Sequence, residues 1–412
     1  MVVVTGMGAL TPIGNTVEEF WSNTKSGKSG IDYITLLDKD ELSVKIAGEV
    51  KNFNPEEKIG KKESKRLDRY AQFALVCADE AIKSAGLDLE NMDRNRIGVL
   101  IGSGIGGFQT IENQISKIAT GSKRVSPFFI PMAISNMAAG NISIKYGLKG
   151  PSTARVTACA TGTNGIGEAF RQIKHGYADV MLAGGVEAPI TKASVEGFAS
   201  LKALNSSNDP HRASIPFDKD RSGFVMGEGA GILVLESLES AQKRGANILA
   251  EVVGYGSTCD AYHITSPDPE GEGAARAMLQ AMEEANVSPK DISYINAHGT
   301  ATSLNDKFET VAIKKALGDF AYKVPISSTK SMTGHLLGAA GAAGAVESIV
   351  CIKSLIDGYI PATIGYETKD EECDLDYVPN VGREQKLSYA LSNSLGFGGH
   401  NATLLFKRWN EN

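Results

Sequence analysis

The sequence has few cysteines and no excess of positive charge. The five cysteines are an odd number without a C-x-x-C pair, which excludes a disulfide framework and a zinc knuckle and fits a reducing cytoplasm. The formal net charge of −6 excludes a general nucleic-acid binder, which would carry a basic excess. What remains is a cytoplasmic globular chain of 412 residues, long enough for two core-bearing units.

The sequence also has no basic segment at its start and no long hydrophobic run without a charge. It opens on MVVVTG, which is typical of a first strand, so we predict no signal peptide. The longest apolar stretch, residues 336–352, contains Glu347 and many small residues. This composition predicts a buried helix and no membrane span.

Short buried-type strands alternate with helical patterns along the whole chain, which predicts a layered α/β fold. Strands are predicted at 2–4, 154–157, 97–101, 179–185, 232–236, 248–255, 294–297, 388–392 and 402–406. Helices are predicted at 16–21, 57–85, 132–146, 169–174, 240–244, 274–285, 307–317 and after His335. Two stretches begin with a Val-rich strand that ends in Gly-x-Gly, which indicates duplication, so we predict halves at 1–246 and 247–412.

The first Gly-x-Gly also suggests a dinucleotide-binding turn. Thr11 occupies the place of the third glycine in that fingerprint, so the nucleotide interpretation is weak. A second glycine-rich segment at 102–107 is more typical of close backbone packing than of phosphate binding.

Residues 154–170 contain the strongest chemical signal. A β-prone run brings Cys159 to the first turn of a glycine-softened helix. There the helix dipole and unpaired N–H groups lower the pKa of a thiol, and the same groups suit an oxyanion. A buried structural cysteine is the alternative, and it is the commoner fate of a free cysteine.

Histidines in glycine-dense loops favour the chemical interpretation. His298 ends a strand and precedes Gly-Thr-x-Thr, whereas His335 lies at a helix start, where positive potential favours a neutral imidazole. Together with Cys159 they form an acyl-transfer set, with a thiolate to carry an acyl group and imidazoles to stabilise an enolate. A metal site is the competing use. We predict none, because H-x-x-x-H spacing and matching carboxylates are missing.

Four motifs in order resemble the β-ketoacyl-acyl carrier protein synthases. They are TAC at 157–159, NAHGTAT at 296–302, STKSMTGHLLGAAG at 328–341 and NSLGFGGHN at 393–401. The resemblance covers the whole chain and is closest to the elongating, type II condensing enzymes of bacterial fatty-acid synthesis. It implies a thiolase fold, with two βαβαβ halves whose central sheets stack in an αβαβα layering, usually in a homodimer.

The implied reaction is the decarboxylative Claisen condensation of malonyl-acyl carrier protein with a cysteine-bound acyl chain, which grows by two carbons. Cys159 would be acylated, with its own backbone N–H and that of Phe397 as the oxyanion hole and Phe397 as a gate. His298 and His335 would polarise the malonyl thioester so that loss of CO₂ gives a stabilised enolate.

The resemblance also implies supporting residues. Lys330 would order the site by pairing with an acidic neighbour, for which Glu309 is the candidate. The implied substrate contacts are Thr300 and Thr302 for the pantetheine arm, Ile105 and Phe198 for the acyl tunnel, and Gly399 and His400 in the last motif.

The implied partner is an acyl carrier protein in its acyl and malonyl forms. Its dock would be the basic set Lys62, Lys65, Arg66, Lys123 and Arg124, which is otherwise a solvated surface in an acidic chain. No soluble cofactor is implied, because the carrier protein supplies the phosphopantetheine.

The sequence departs from the family pattern at two places. Ser303 replaces a common proline after the His298 loop. Residues 338–344 repeat a Gly-Ala-Ala unit, and three extra helical residues would rotate everything beyond them by about 300°. This puts the orientation of Glu347 in question, including any part in a structural cation site.

Four other functions compete with this one. A thiolase of this fold would carry a second cysteine late in the chain, and an initiating synthase would use one histidine and an asparagine. A non-catalytic polyketide synthase subunit would lack the nucleophile, which Cys159 supplies. A nucleotide-binding oxidoreductase would need the complete fingerprint. The acyl-chain length and the choice between the fatty-acid and polyketide pathways stay open.

Overall fold

A computed structural model describes residues 1–336 and 342–410. The strands are β1 (Val2–Leu10), β2 (Ile31–Tyr33), β3 (Ile46–Gly48), β4 (Ile97–Gly102), β5 (Ser152–Thr153), β6 (Val180–Glu187), β7 (Met226–Gly227), β8 (Gly229–Ser237), β9 (Ala250–Cys259), β10 (Tyr294–Asn296), β11 (Ile326–Ser327), β12 (His335–Leu336), β13 (Tyr359–Ile360), β14 (Arg383–Glu384), β15 (Tyr389–Gly396) and β16 (His400–Arg408). The helices are α1 (Val17–Lys25), α2 (Pro55–Ile59), α3 (Lys61–Ser64), α4 (Arg69–Ala85), α5 (Phe108–Ala119), α6 (Phe129–Ala133), α7 (Met137–Tyr146), α8 (Thr161–Lys174), α9 (Lys192–Ser200), α10 (Leu238–Lys243), α11 (Glu272–Glu284), α12 (Ser303–Leu317), α13 (Lys330–Thr333) and α14 (Ala343–Asp357).

The main sheet is duplicated. Within the described ranges it has ten strands in the order β11-β10-β15-β16-β9-β1-β8-β6-β4-β5. From β1 outward the pairings are antiparallel, antiparallel, parallel and parallel, and from β9 outward the same sequence of directions recurs. The two five-stranded halves therefore have one topology, and the short antiparallel β1–β9 pairing joins them. The predicted boundary at residue 246 falls between α10 and β9.

Helices fill three layers around these strands. Helices α8 and α14 contact each other and strands of both halves, so they form the central layer. Helices α4 and α7 cover the outer face of the first half, and α11 covers that of the second with α12 against it. Each interface holds its own buried apolar cluster. The αβαβα layering of a thiolase-like fold is confirmed.

The first Gly-x-Gly serves helix packing. A Cβ at Gly6 or Gly8 would collide with the carbonyl oxygens of Ala81 and Cys77 on α4. The two glycines therefore let α4 lie directly on β1, and this contact explains the motif without a nucleotide.

Some predicted elements are wrong in extent. The helix predicted over 57–85 is three helices, because Gly60 adopts a φ of 93° and Asp68 caps α4 by accepting a hydrogen bond from the Tyr70 N–H. The helix predicted over 132–146 is likewise divided into α6 and α7. The strand predicted at 154–157 is reduced to a single bridge between Thr157 and Cys159.

The helix predicted from the longest apolar run is confirmed in its described part. Helix α14 begins at Ala343 and is buried along most of its length. The added Gly-Ala-Ala unit overlaps residues 337–341, which lie outside the described ranges. Among the described residues no helix is long and apolar enough to cross a membrane.

Candidate active site

Cys159 lies in a tight turn immediately before α8. Ala158 adopts a φ of 48°, and Ala160 precedes the first helical residue. The Thr157 N–H donates to the Thr161 hydroxyl at 2.8 Å, which closes the turn across the nucleophile. Cys159 thus lies just before the first residue of a buried central helix, and not within the first helical turn as the sequence predicts, and the residue is only 7% exposed.

The loop after β15 closes over this turn. At Gly396 a Cβ would lie 2.8 Å from the Thr157 carbonyl oxygen and 3.0 Å from the Cys159 nitrogen, so only glycine permits the approach. The approach brings the Phe397 backbone N–H to the Cys159 sulfur, where it acts together with the N–H of Cys159 itself. Two N–H groups therefore lie at the sulfur, and their role as an oxyanion hole stays a prediction.

His298 follows β10 in a loop held by two buried carboxylates. Glu309 accepts hydrogen bonds from the N–H groups of His298 at 2.7 Å and Gly299 at 2.8 Å. Asp306 accepts one from Thr300 at 3.0 Å. Both carboxylates lie on α12, so the helix that follows the motif fixes the backbone of the motif.

His335 comes to the same place from the second motif. Its N–H donates to the Val225 carbonyl at 2.7 Å, and the edge of its ring meets Phe224 with centroids 5.5 Å apart. The rings of His298 and His335 are perpendicular, with centroids 5.2 Å apart. One donor atom from each histidine and the Cys159 sulfur all lie within 4.8 Å of one another. The predicted trio is therefore one cluster, and these three atoms are also the set that could hold a metal.

Lys330 pairs with Glu347, and the predicted pairing with Glu309 is wrong. The Lys330 ammonium donates to the Glu347 carboxylate, and both side chains are buried. Glu309 is occupied by the two backbone N–H groups of the His298 loop. Because α14 begins at Ala343, the added unit leaves Glu347 facing Lys330, which answers the question of its orientation.

A cavity of about 310 Å³ opens above the cluster. Four further predicted residues line it, namely Phe198, Thr300, Thr302 and Phe397. Ile105, Gly399 and His400 are not among its lining residues. The Ile105 N–H donates a hydrogen bond to the Glu187 carboxylate. The Gly399 carbonyl accepts a hydrogen bond from the Asp260 N–H. Gly399 therefore contacts Asp260, a residue that lines the cavity, without lining the cavity itself. The contacts of Ile105, Gly399 and His400 with substrate stay predictions.

The five basic residues predicted as a dock are all exposed and come from two separate segments. The Arg66 guanidinium, after α3, lies 5.2 Å from the centre of the Phe128 ring. Phe128 follows the loop that carries Lys123 and Arg124, so this contact joins the two segments into one basic surface.

Burial governs the titration of the cluster. It raises the pKa of the Cys159 thiol to about 12, against the opposing effects of the Lys330 ammonium and the two backbone N–H groups. The lowered thiol pKa predicted from the helix end is therefore wrong for the resting site. Burial, assisted by Lys330, also holds the pKa of His298 and of His335 well below the usual range. The neutral state predicted for His335 agrees with this direction, and His298 shares it. The predicted place of His335 at a helix start is wrong, because His335 begins strand β12, and burial lowers its pKa instead.

We expect the two histidines to make the folded state sensitive to acid. Their pKa values are lowered on folding, so below about pH 6.5 the unfolded chain binds protons that the folded chain does not. The free energy of unfolding therefore decreases as the pH is lowered through this range. Each contributes a slope of up to about 1.4 kcal/mol per pH unit. Urea unfolding at a series of pH values should show a shallower slope in His298→Asn/His335→Asn. An unchanged slope would contradict the burial argument.

Sequence reasoning missed one buried cation that holds the threonine loop. The Arg221 guanidinium donates to the carbonyl oxygens of Thr302 at 3.3 Å and Ser303 at 3.0 Å. It also lies 3.8 Å from the Asp306 carboxylate. These contacts fix the loop where the family's proline is replaced. The arginine stands in a glycine-rich stretch of the sequence, but only the fold brings it to α12.

The duplicated fold and the Cys-His-His cluster together define a condensing enzyme of the thiolase-like class. Residues 1–241 match the profile "Beta-ketoacyl synthase, N-terminal domain", and residues 249–367 match "Beta-ketoacyl synthase, C-terminal domain". The chain belongs to the beta-ketoacyl synthase family.

Individual relatives agree with this assignment. The chain is 56% identical over 409 residues to a 3-oxoacyl-[acyl-carrier-protein] synthase 2 of Staphylococcus aureus, which covers 99% of this chain and 98% of that protein. It is 52% identical over 410 residues to the protein of the same name from Synechocystis, with 99% and 98% covered.

Solved structures show the same fold over 99% of each chain. The ketosynthase/chain length factor of ishigamide superposes with a TM-score of 0.93 at 35% identity and covers 99% of both chains. A type II polyketide ketosynthase in complex with its acyl-carrier protein gives 0.89 at 37%, again with 99% of both chains.

Proposed function

We propose that the chain elongates acyl-acyl carrier protein thioesters by two carbons, in a decarboxylative Claisen condensation with malonyl-acyl carrier protein. One observation carries the proposal: a buried cysteine, two N–H groups on its sulfur and two neutral imidazoles converge at one cavity. The enzyme works without a resident cofactor, because the phosphopantetheine arm arrives on the carrier protein.

In the first half-reaction the Cys159 sulfur attacks the acyl thioester. The backbone N–H groups of Cys159 and Phe397 stabilise the oxyanion. Since the resting thiol is protonated, its proton passes to one of the two imidazoles within reach and then to the departing pantetheine sulfur. The products are an acyl-cysteine and a carrier protein with a free thiol, and Thr300 and Thr302 hold the arm.

In the second half-reaction the two imidazoles meet the malonyl thioester. N–H groups of neutral His298 and His335 donate to the thioester oxygen, so the electron pair released with CO₂ is held as an enolate. The enolate carbon attacks the acyl carbon, the bond from that carbon to the Cys159 sulfur breaks, and the departing thiolate takes one proton from solvent. Lys330 acts from behind the cavity, where its paired charge favours the neutral state of both imidazoles.

The fatty-acid pathway is favoured by the comparisons. Identity to the two 3-oxoacyl-[acyl-carrier-protein] synthases is 56% and 52%, whereas identity is 37% to the type II polyketide ketosynthase and 35% to the ishigamide ketosynthase/chain length factor. The unpaired state of all five cysteines supports a cytoplasmic location.

The test is intact-mass analysis after incubation with a medium-chain acyl carrier protein. We expect one acyl adduct per chain, discharged when malonyl carrier protein is added, with release of a β-ketoacyl product. An adduct that malonyl carrier protein does not discharge, or no adduct, would refute the elongating function.

The basic surface joined by Arg66 and Phe128 suits an acidic carrier protein. We expect Lys65→Glu/Arg66→Glu to raise KM for carrier-bound substrates about ten-fold and to leave kcat unchanged, because the surface meets the carrier and not the reacting atoms. Rates with small pantetheine thioesters should not change. Lys243→Glu on α10 is the matched control, and an equal KM effect in that control would exclude a specific dock.

The edge of the main sheet in the first half of the chain supports a homodimer. Strand β5 ends the main sheet, and Ile144 and Val156 beside it are 76% and 53% exposed. An unpaired edge flanked by apolar side chains invites a second copy. We expect sedimentation to show a dimer and Ile144→Lys to give monomers. A monomeric wild type at micromolar concentration would contradict this arrangement.

A further inference from the structure

The cluster at the cavity floor has more unsatisfied donor atoms than a packed protein interior normally holds. Within the described ranges, His298 Nδ1 and both ring nitrogens of His335 have no hydrogen-bond partner. Both histidine side chains are about 98% buried, since each residue is only 2% exposed. A buried polar atom without a partner is costly, so these nitrogens are held ready for a ligand.

The atoms around the unsatisfied nitrogens form a donor set that zinc prefers. One sulfur and two imidazole nitrogens lie within 4.8 Å of one another, and Zn²⁺ sites with three protein ligands and an open fourth position use such sets. At bond lengths of about 2.0–2.3 Å, tetrahedral ligands are about 3.3–3.6 Å apart. Side-chain rotations that bring these atoms about 1.2–1.5 Å closer together than the 4.8 Å limit would close this difference.

The cavity also gives the ion a path and a fourth ligand. Leu201 and Leu304 line it and are 55% and 47% exposed, so the cavity reaches the surface. The volume of about 310 Å³ holds a metal-bound water. Lys330 lies near the cluster, and its pairing with Glu347 weakens its repulsion of the dication without abolishing it.

We propose that Zn²⁺ binds reversibly across Cys159, His298 and His335 in the unacylated protein and blocks it against acyl donors. On binding, the Cys159 S–H bond breaks, a Zn–S bond forms and one proton leaves to solvent, with no change of oxidation state. The blocking role rests on the proposed function, whereas metal binding does not. An acylated Cys159 has no free thiolate to coordinate the ion, so Zn²⁺ does not block the acyl-enzyme.

The test uses Co²⁺ as a spectroscopic substitute for Zn²⁺ on chelator-treated protein. We expect one Co²⁺ per chain, with a thiolate-to-cobalt charge-transfer band that Zn²⁺ abolishes by displacement and that Mg²⁺ leaves unchanged, since Mg²⁺ prefers oxygen ligands. Cys159→Ala should lose the band. Cys259→Ala, which removes an exposed thiol, should keep it. His335→Asn should weaken binding by a factor of about ten or more.

Two results would overturn the proposal: no charge-transfer band in the wild type, or a band that persists in Cys159→Ala. Circular dichroism of Cys159→Ala and Cys159→Ser checks that loss of the band is not loss of fold. In the condensation assay, excess Zn²⁺ should lower the rate at least about ten-fold before acylation and not after it. A protein that binds Co²⁺ at Cys159 but does not condense would refute the proposed function and leave the metal site standing.

Discussion

In the Cys159→Ala variant we expect the condensation rate to fall by a factor of at least about 10³. The reason is that the sulfur carries the acyl chain between the two half-reactions, and within the described ranges Cys159 is the only cysteine that lines the cavity. Cys159→Ser should form no stable adduct in mass spectrometry either, because a buried hydroxyl is a much weaker nucleophile. Loss of malonyl-derived CO₂ should persist, since it depends on His298 and His335.

The matched control for this prediction is Cys259→Ala, which removes a thiol without touching the cluster and should retain the wild-type rate. If Cys159→Ala still forms an acyl adduct, then another residue carries the chain. If Cys159→Ala also loses CO₂ release, then the sulfur has a part in the malonyl step that the two imidazoles do not explain.

The second large effect is expected at the buried ion pair. Lys330→Met leaves the Glu347 carboxylate buried without its cation, and Glu347→Met leaves the ammonium without its anion. Breaking a buried pair from one side costs about 3–5 kcal/mol of the free energy of unfolding. Urea denaturation should show this loss in each single variant. The rise in the Glu347 pKa on burial means that part of the cost appears as proton uptake in Lys330→Met.

The double variant Lys330→Met/Glu347→Met is the control for this effect. Replacing both partners by apolar side chains removes the uncompensated charge, so we expect it to recover to within about 1 kcal/mol of the wild type. Its condensation rate should nevertheless stay low, because the Lys330 charge no longer acts on the imidazoles. Single variants that lose less than about 1 kcal/mol would show that solvent reaches the pair.

The same ion pair shows where sequence reasoning fails. Glu309 and Glu347 are both acidic residues near Lys330 along the chain, and the motif spacing gives no means to choose between them. The choice depends on where α14 begins, because one residue more or less turns a helix by about 100°. The structure starts that helix at Ala343 and places Glu347 on it opposite Lys330.

The state of the thiol shows a second limit. A cysteine before a helix predicts a lowered thiol pKa from local structure alone. Desolvation opposes that effect, and its size depends on how much of the surrounding chain packs over the sulfur. At Cys159 the loop that carries Phe397 comes from the other half of the fold, so no local pattern contains this information.

The sequence by itself determined a layered α/β fold with an indication of duplication, and it singled out Cys159, His298 and His335, because strand and helix patterns and glycine-flanked motifs are local properties of the chain. The thiolase fold and the roles of these residues were implied by the resemblance of the four motifs to a known family. The tertiary structure decided which acid pairs with Lys330, which residues line the cavity, that Arg221 holds the threonine loop and that the resting thiol keeps its proton. These depend on distances and burial between segments far apart in sequence, which only the packing of the two halves sets.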